Sequence, residues 1–313
     1  MIVGRTLQTI LFLASALALT AQQHTQQSQN RAVKVQMHNV IYRFNDAVSV
    51  HIRGLAGELV PTGGDLPVFE DKNSFTMHLA AAEIAISSRS LATVLNSQVF
   101  ARSDAPVKDI SIRIENNLVK VKGKLHSHGD VSFETEGELS ATNDGKIRLH
   151  ARKIRALHLP VKGLMDLFDL DLADLVKTGK VRGVQVEKDD LILDPAQIFP
   201  PPHIVGKVTE IRLQGDYIVQ IFGSPQKYPW AKVPAQNYMA FSGNRLRFGK
   251  LTMDNTDMVL IDVDPKDALD FYLDHYQEQL AAGYTKITRN FGLRVFMVDY
   301  GKLKRGVAKP VNP

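Results

Sequence analysis

His126 and His128 stand two residues apart in HSHGD, a spacing that puts both imidazoles on one face of a strand, as a metal pair requires. The same five residues read more simply as a polar turn beside a strand. Asp262, Asp264, Asp267 and Asp270 form an acidic cluster of the oxygen-donor kind that suits calcium. A helix start also gathers carboxylates, because its free N–H groups carry partial positive charge. Glu134, Glu136 and Glu138 alternate along one strand, and a solvated face explains all three. No G-x-S-x-G elbow is present, so a hydroxyl nucleophile has no anchor. Walker, dinucleotide-binding, H-E-x-x-H and EF-hand patterns are absent too. The chain has no cysteine, which excludes thiolate catalysis, thiolate metal sites and a lipid-modified cysteine. The chemistry-bearing residues therefore point away from an enzyme, and no catalytic residue, metal or cofactor is assigned.

The remaining composition bounds the partners. Of 313 residues, 44% are hydrophobic and 23% charged, an ordinary globular balance long enough for one large domain or two smaller ones. Arg5 precedes an apolar run, Leu7 to Leu19, and small residues follow. Cleavage is expected at Ala16-Leu17-Ala18 or after Ala21, so residues 1–21 read as a signal peptide, with a retained membrane anchor as the alternative. No other segment approaches the length of a spanning helix. An A-x-A-type signal without cysteine fits a bacterial periplasm or cell envelope. Net charge is +5, about +4 once the leader with Arg5 is removed. The basic residues form no Lys/Arg tract with interleaved aromatics, so nucleic acid is not an expected partner.

The elements that position these residues are mostly strands. Residues 22–32 are Gln-rich and without apolar periodicity, a flexible leader. From Val33, VKVQMHNVIYRF, VSVHIRGLAGELV and SFTMHLAAAEIAIS place apolar residues at alternate positions, as strands do. SSRSLATVLNSQVF then changes period. Ser87 or Ser88 suits an N-cap, and a helix over 89–100 carries Leu91, Leu95 and Val99 on one face. VKDISIRIENNLVKVKGKL predicts a hairpin turning at Asn116-Asn117, with the register at Leu118 or Val119 open. VSFETEGELSATNDGKIRLHARKI predicts another, turning at Asp144-Gly145. Long strands with one wet face belong to antiparallel sheets.

HLPVKGLMDLFDLDLADLVK, residues 158–177, predicts an amphipathic helix. Leu164, Met165, Phe168, Leu172 and Leu175 fall within about 120° of one another, with aspartates on most of the remaining circumference. Its negative polar face disfavours lying on an anionic membrane. DLDLADL also alternates, so the latter half is compatible with an extended strand. Further strands follow in VRGVQVEKDDLILDP and IVGKVTEIRLQGDYIVQIFG, separated by the break PAQIFPPP, where the chain is expected to cross between sheet regions. Residues 224–236 read as a linker. Beyond it, RLRFGKLTM and MVLIDV read as strands. A helix is then expected from an Asp264 cap and Pro265 to Gly283, burying Leu269, Tyr272, Leu273, Tyr276 and Leu280.

The order of strand, capped helix, two long hairpins, amphipathic helix and further strands, from about 74 to 223, resembles the LmeA-like phospholipid-binding proteins. These are bacterial members of the tubular lipid-binding (TULIP) class. AEIAISSRSLATVLNS, VKDISIRIENNLVKVKGKL, DVSFETEGELSATNDGKIRLHARKIRALHLPVKGLMDLF and DLILDP carry the resemblance over roughly half the chain, as patterns rather than signature residues. It implies an α+β fold in which a long, highly curved antiparallel sheet wraps amphipathic helices in a half-barrel. It further implies a non-catalytic groove for a phospholipid or other acyl lipid, with the envelope membrane surface as a further partner. The domain would span 33–223, and 237–313 would pack on or extend its sheet. The groove would be lined by Leu91, Leu95, Val99, Leu164, Met165, Phe168, Leu172 and Leu175. The alternative is an envelope scaffold or adaptor whose sheet and helices close as an ordinary filled core. Oligomeric state and lipid headgroup are not legible.

Overall fold

The computed structural model describes residues 31–125, 131–156 and 181–306. Strands dominate it, as the alternation requires. The first three are β1 (Val33–Arg43), β2 (Ser49–Pro61) and β3 (Phe75–Ser87), which pair antiparallel in sequence order. Along β1 the buried set is Val33, Val35 and Met37, then Val40 and Tyr42. The phase changes at Asn39, whose φ is +53°, a conformation asparagine tolerates better than most residues. The neighbour changes there as well, because β13 (Tyr238–Gly243) pairs with β1 up to His38 and β17 (Leu269–Tyr272) from Val40 onward.

β3 runs into α1 (Ser88–Val94), whose N-cap is Ser87: its hydroxyl accepts from the Ser90 amide. The helix continues as a wider π-helical turn over Leu95–Val99. Four long strands follow: β4 (Val107–Glu115), β5 (Leu118–Leu125), β6 (Val131–Ala141) and β7 (Ile147–Ala156). The β4–β5 turn is Asn116-Asn117, both with positive φ, as a two-residue hairpin turn demands. Ile114 lies opposite Val119 and Glu115 opposite Leu118, which places Val119 on the buried face. The β6–β7 turn contains Gly145 at φ +89°. With β8 (Val184–Glu187) and β9 (Asp190–Leu193) these strands form a six-stranded antiparallel sheet ordered β4-β5-β6-β7-β9-β8.

At the predicted Pro-rich break the chain leaves this sheet. A four-residue helix, α2 (Pro195–Ile198), is capped by the Asp194 carboxylate, and the chain then reaches β10 (His203–Val205) beside β3. β11 (Val208–Gln214) and β12 (Tyr217–Gly223) extend the larger sheet past β3. Its far side is built by β13, β16 (Thr256–Asp262), β19 (Leu293–Met297) and β18 (Tyr284–Ile287), so the C-terminal segment extends the sheet begun by β1. Eleven strands take part, and three pairings, β1–β17, β3–β10 and β16–β19, are parallel; the sheet is mixed where an antiparallel one was expected. A separate hairpin joins β14 (Leu246–Phe248) to β15 (Leu251–Met253). Neither large sheet closes on itself; each strand order has two free ends.

The helix expected from Asp264 to Gly283 is corrected. Residues 269–272 are β17, which lies parallel to β1, and helix begins only at α3 (Tyr276–Ala281) after a short 3-10 turn. Leu269, Phe271 and Leu273 alternate as well as the helical set does, and a hydrogen-bonding partner in β1 selects the extended form. Leu269, Tyr272, Leu273 and Tyr276 are buried nonetheless. The last element among the described residues is α4 (Tyr300–Lys304). One continuous apolar core draws on both sheets and α1.

A candidate apolar site under the first helix

α1 is tied to both sheets. The Ser88 hydroxyl donates to the Asp216 carboxylate in the β11–β12 turn, and the Ser88 amide donates to the Asp216 carbonyl. At the other end Asn96 sits on the six-stranded sheet: its Nδ2 donates to Ile110 O at 2.7 Å, and its Oδ1 accepts from Ile110 N at 2.9 Å. Those Ile110 groups lie where the β4–β5 register shifts, between Lys108 and Ser111, beside Asp109 at φ +53°. An asparagine side chain there does what a neighbouring strand would do.

Beneath this clamp lies a cavity of about 80 Å³. Leu91, Leu95 and Phe100 form its roof, and Val107, Ile110, Ile112, Val119, Val121, Phe133, Leu139, Leu149, Ala151, Leu191 and Leu193 supply the wall from the six-stranded sheet. Ile218 of β12 closes it on the side of the larger sheet. Thr135 is the one polar residue of the lining, and its Oγ1 is buried without a hydrogen-bond partner. Two positions along β12, Gln220 borders a second apolar cavity of about 50 Å³, with Met37, Tyr42, Phe44, Ile84 and Phe199 around it. A third, of about 20 Å³, shares Met37, Tyr42, Met77 and Pro202 with the second. Burial pushes the Tyr42 phenol far above its usual range. The three spaces follow the inner face of the larger sheet in a row. A wider groove of about 580 Å³ runs along β8, with a mixed wall: Lys146, Arg182, Gln185, Asp194 and Gln197 line it beside Val181, Val184, Val186 and Ile192.

Of the residues expected to line a groove, Leu91 and Leu95 meet at this cavity. Val99 packs against the core but not on the cavity wall, because the π-helical turn rotates it away from the regular helical stripe. Leu164, Met165, Phe168, Leu172 and Leu175 lie outside the described residues, as does the expected helix over 158–177. His126 and His128 lie outside them too. Phe100, Phe133 and Thr135 escaped the sequence reading; the alternation of β6 marks an inward face, but nothing in it says that this face borders empty space.

Polar chemistry gathers elsewhere. Carboxylate oxygens of Asp262, Asp267 and Asp299 lie within 4.8 Å of one another, a spacing compatible with a cation. Lys302 supplies the positive charge: its Nζ is 2.6 Å from Asp299, 3.1 Å from Asp264 and 3.3 Å from Asp267. Burial works against that ammonium, but its hydrogen bonds to Asp299 and Asp264 prevail and hold it above the usual lysine range. Asp262 accepts from Asn237 Nδ2 at 2.9 Å and from the Asp264 amide at 2.8 Å. Burial outweighs these bonds and raises its carboxyl to about 6. Asp270, the fourth acidic residue of the cluster read from sequence, pairs instead with Arg43 at 2.5 and 2.9 Å. An internal lysine thus neutralises part of the acidic cluster. Glu134 and Glu138 face Lys122 and Arg152 across the sheet, as a solvated charged face requires.

No helix among the described residues is long and apolar enough to cross a membrane. Comparison of the chain with protein-family models, with curated proteins and with solved structures finds no match in any of the three, so the likeness to the LmeA-like family rests on the sequence patterns alone.

Proposed function

We propose that this is an exported, non-catalytic binder of acyl lipid, in which the apolar space between α1 and the six-stranded sheet receives the end of an acyl chain. The half-barrel architecture of the tubular lipid-binding class, a bacterial envelope location and a phospholipid partner belong to the same reading. The observation that carries it is the lining: apart from Thr135, apolar side chains surround the cavity, and two of them come from the helical stripe expected to face lipid. Apolar cavities of this kind stay dry and accept hydrocarbon.

Volume narrows what enters. About 80 Å³ is well below the roughly 300–1,000 Å³ of usual ligand pockets, so a two-chain phospholipid is not seated whole in this space. That shortfall favours a second reading, a scaffold or adaptor with a nearly filled core. Native mass spectrometry of the purified chain, followed by solvent extraction and lipid analysis, separates the two. Adducts of lipid mass, released on denaturation, are the expected result. A clean apo mass, with no uptake from added vesicles, transfers the assignment to the adaptor.

A further inference from the structure

The hairpin between β18 and β19 ends in a turn whose shape its own hydrogen bonds set. Thr288 N donates to Gly292 O at 2.8 Å, Phe291 N to Thr288 O at 3.0 Å, and Gly292 N to Thr288 Oγ1 at 2.9 Å. Within this turn Phe291 takes φ +61° and is 91% exposed; Ile287, at the end of β18, is 73% exposed. Left-handed backbone is rare for a bulky residue. Asn290 and Gly292, which adopt it at less cost, stand on either side. None of the turn's hydrogen bonds involves the phenyl ring, which is left free to contact something outside the fold.

The charge around the tip indicates what that is. Lys286 and Arg289 are exposed beside it and form no ion pair among the described residues; the Lys286 ammonium lies over the Tyr284 and Phe296 rings, 5.2 and 5.8 Å from their centroids. Three carboxylates at this rim of the sheet are already matched: Asp65 with Arg31 at 3.0 Å, Asp254 with Arg245 at 2.8 Å and Asp257 with Arg294 at 2.8 Å. An exposed apolar pair beside two cations that no carboxylate neutralises is complementary to an anionic interface with hydrocarbon behind it. The topology adds an independent argument. Val33 lies opposite Gly243, Gly243 opposite Thr256, Met258 beside Leu293, and Leu293 opposite Ile287, so β1 starts at the same rim. Where the apolar run Leu7–Leu19 is retained as an anchor instead of cleaved, residues 22–32, which join it to β1, span at most roughly 40 Å.

We propose that this hairpin tip docks the protein on a bilayer surface rich in anionic phospholipid, with Phe291 and Ile287 entering the interface and Lys286 and Arg289 facing the headgroups. The proposal is independent of lipid binding under α1. Its test places a reporter at the tip of the full chain, Phe291→Trp. Trp230, the single tryptophan of the sequence, gives the baseline in the unsubstituted protein. Vesicles of phosphatidylcholine with phosphatidylglycerol, brominated on the acyl chains, should shift the added emission to the blue and quench it. All-phosphatidylcholine vesicles should do so weakly. Adding Lys286→Glu and Arg289→Glu should weaken the quenching titration about tenfold or more. An added signal that stays aqueous on vesicles with which the chain cosediments overturns the proposal, because another part of the chain then holds it there without the tip. A blue shift that needs no lipid and grows with protein concentration overturns it in favour of a second copy of the chain.

Discussion

Thr135 and Asp262 are buried groups whose environments suit them poorly. The Thr135 hydroxyl has no partner, and an unsatisfied buried hydroxyl costs about 1–3 kcal/mol. Thr135→Val keeps the shape and removes the oxygen, so urea unfolding should show a gain of about 1 kcal/mol. A loss instead means that the hydroxyl has a partner in solution. Asp262 titrates near 6 because burial outweighs its two hydrogen bonds. In the unfolded chain an aspartate titrates at about 3.9. Between those values the native protein holds the extra proton, so stability falls as pH rises from about 4 to about 6 and this contribution levels off above. The loss is on the order of 3 kcal/mol from this group, and Asp299, also raised by burial, works in the same direction. Asp262→Asn should flatten much of that slope in denaturation midpoints taken across the window. An unchanged slope means that other groups set it.

At the scale of elements, the clamp on α1 is the part most exposed to a single change. Asn96→Ala removes both hydrogen bonds to Ile110 and leaves a strand bulge with a buried amide and carbonyl unpaired. A loss of about 1–3 kcal/mol is expected, seen as a lower denaturant midpoint at unchanged slope. Leu95 then loses the anchor one residue away that holds it over the cavity, so any lipid adduct should weaken as well. Little of this clamp was legible beforehand. Ser87 as a cap, Leu91 and Leu95 as one face, and Asn116-Asn117 as a hairpin turn all follow from local rules, and local rules hold there. Asn96 reads as an ordinary polar residue of a helix, because its partner is fourteen positions away. β17 failed for the same reason: Asp264-Pro265 resembles a helix start, and only the free edge of β1 decides otherwise.

At the scale of the molecule, long-range pairing is what the sequence hides and the sheet depends on. β1 binds β2, its neighbour in the chain, on one edge; on the other it binds β13 and β17, some 200 residues on. The core crosses the same seam, since the Phe69 ring packs edge-on against Phe241, Phe248, Phe271 and Tyr276 at 5.0–5.9 Å between centroids. Periodicity identifies each of these strands, but nothing local says that residues before 70 and after 236 share one core. A chain ended after Gln236 therefore loses the partners on one side of β1 and the ring cluster around Phe69 together. The full chain should unfold in one cooperative transition, with near- and far-ultraviolet circular dichroism coincident. The shortened chain should lose its near-ultraviolet signal, bind a hydrophobic dye and aggregate through the bared edge of β1. If it keeps a cooperative transition of its own, the first 236 residues close a core without β13 and β17. The apolar row from Leu95 to Met77 then belongs to an independent unit, the one proposed to take acyl lipid, to which the C-terminal strands and their Phe291 hairpin are an addition.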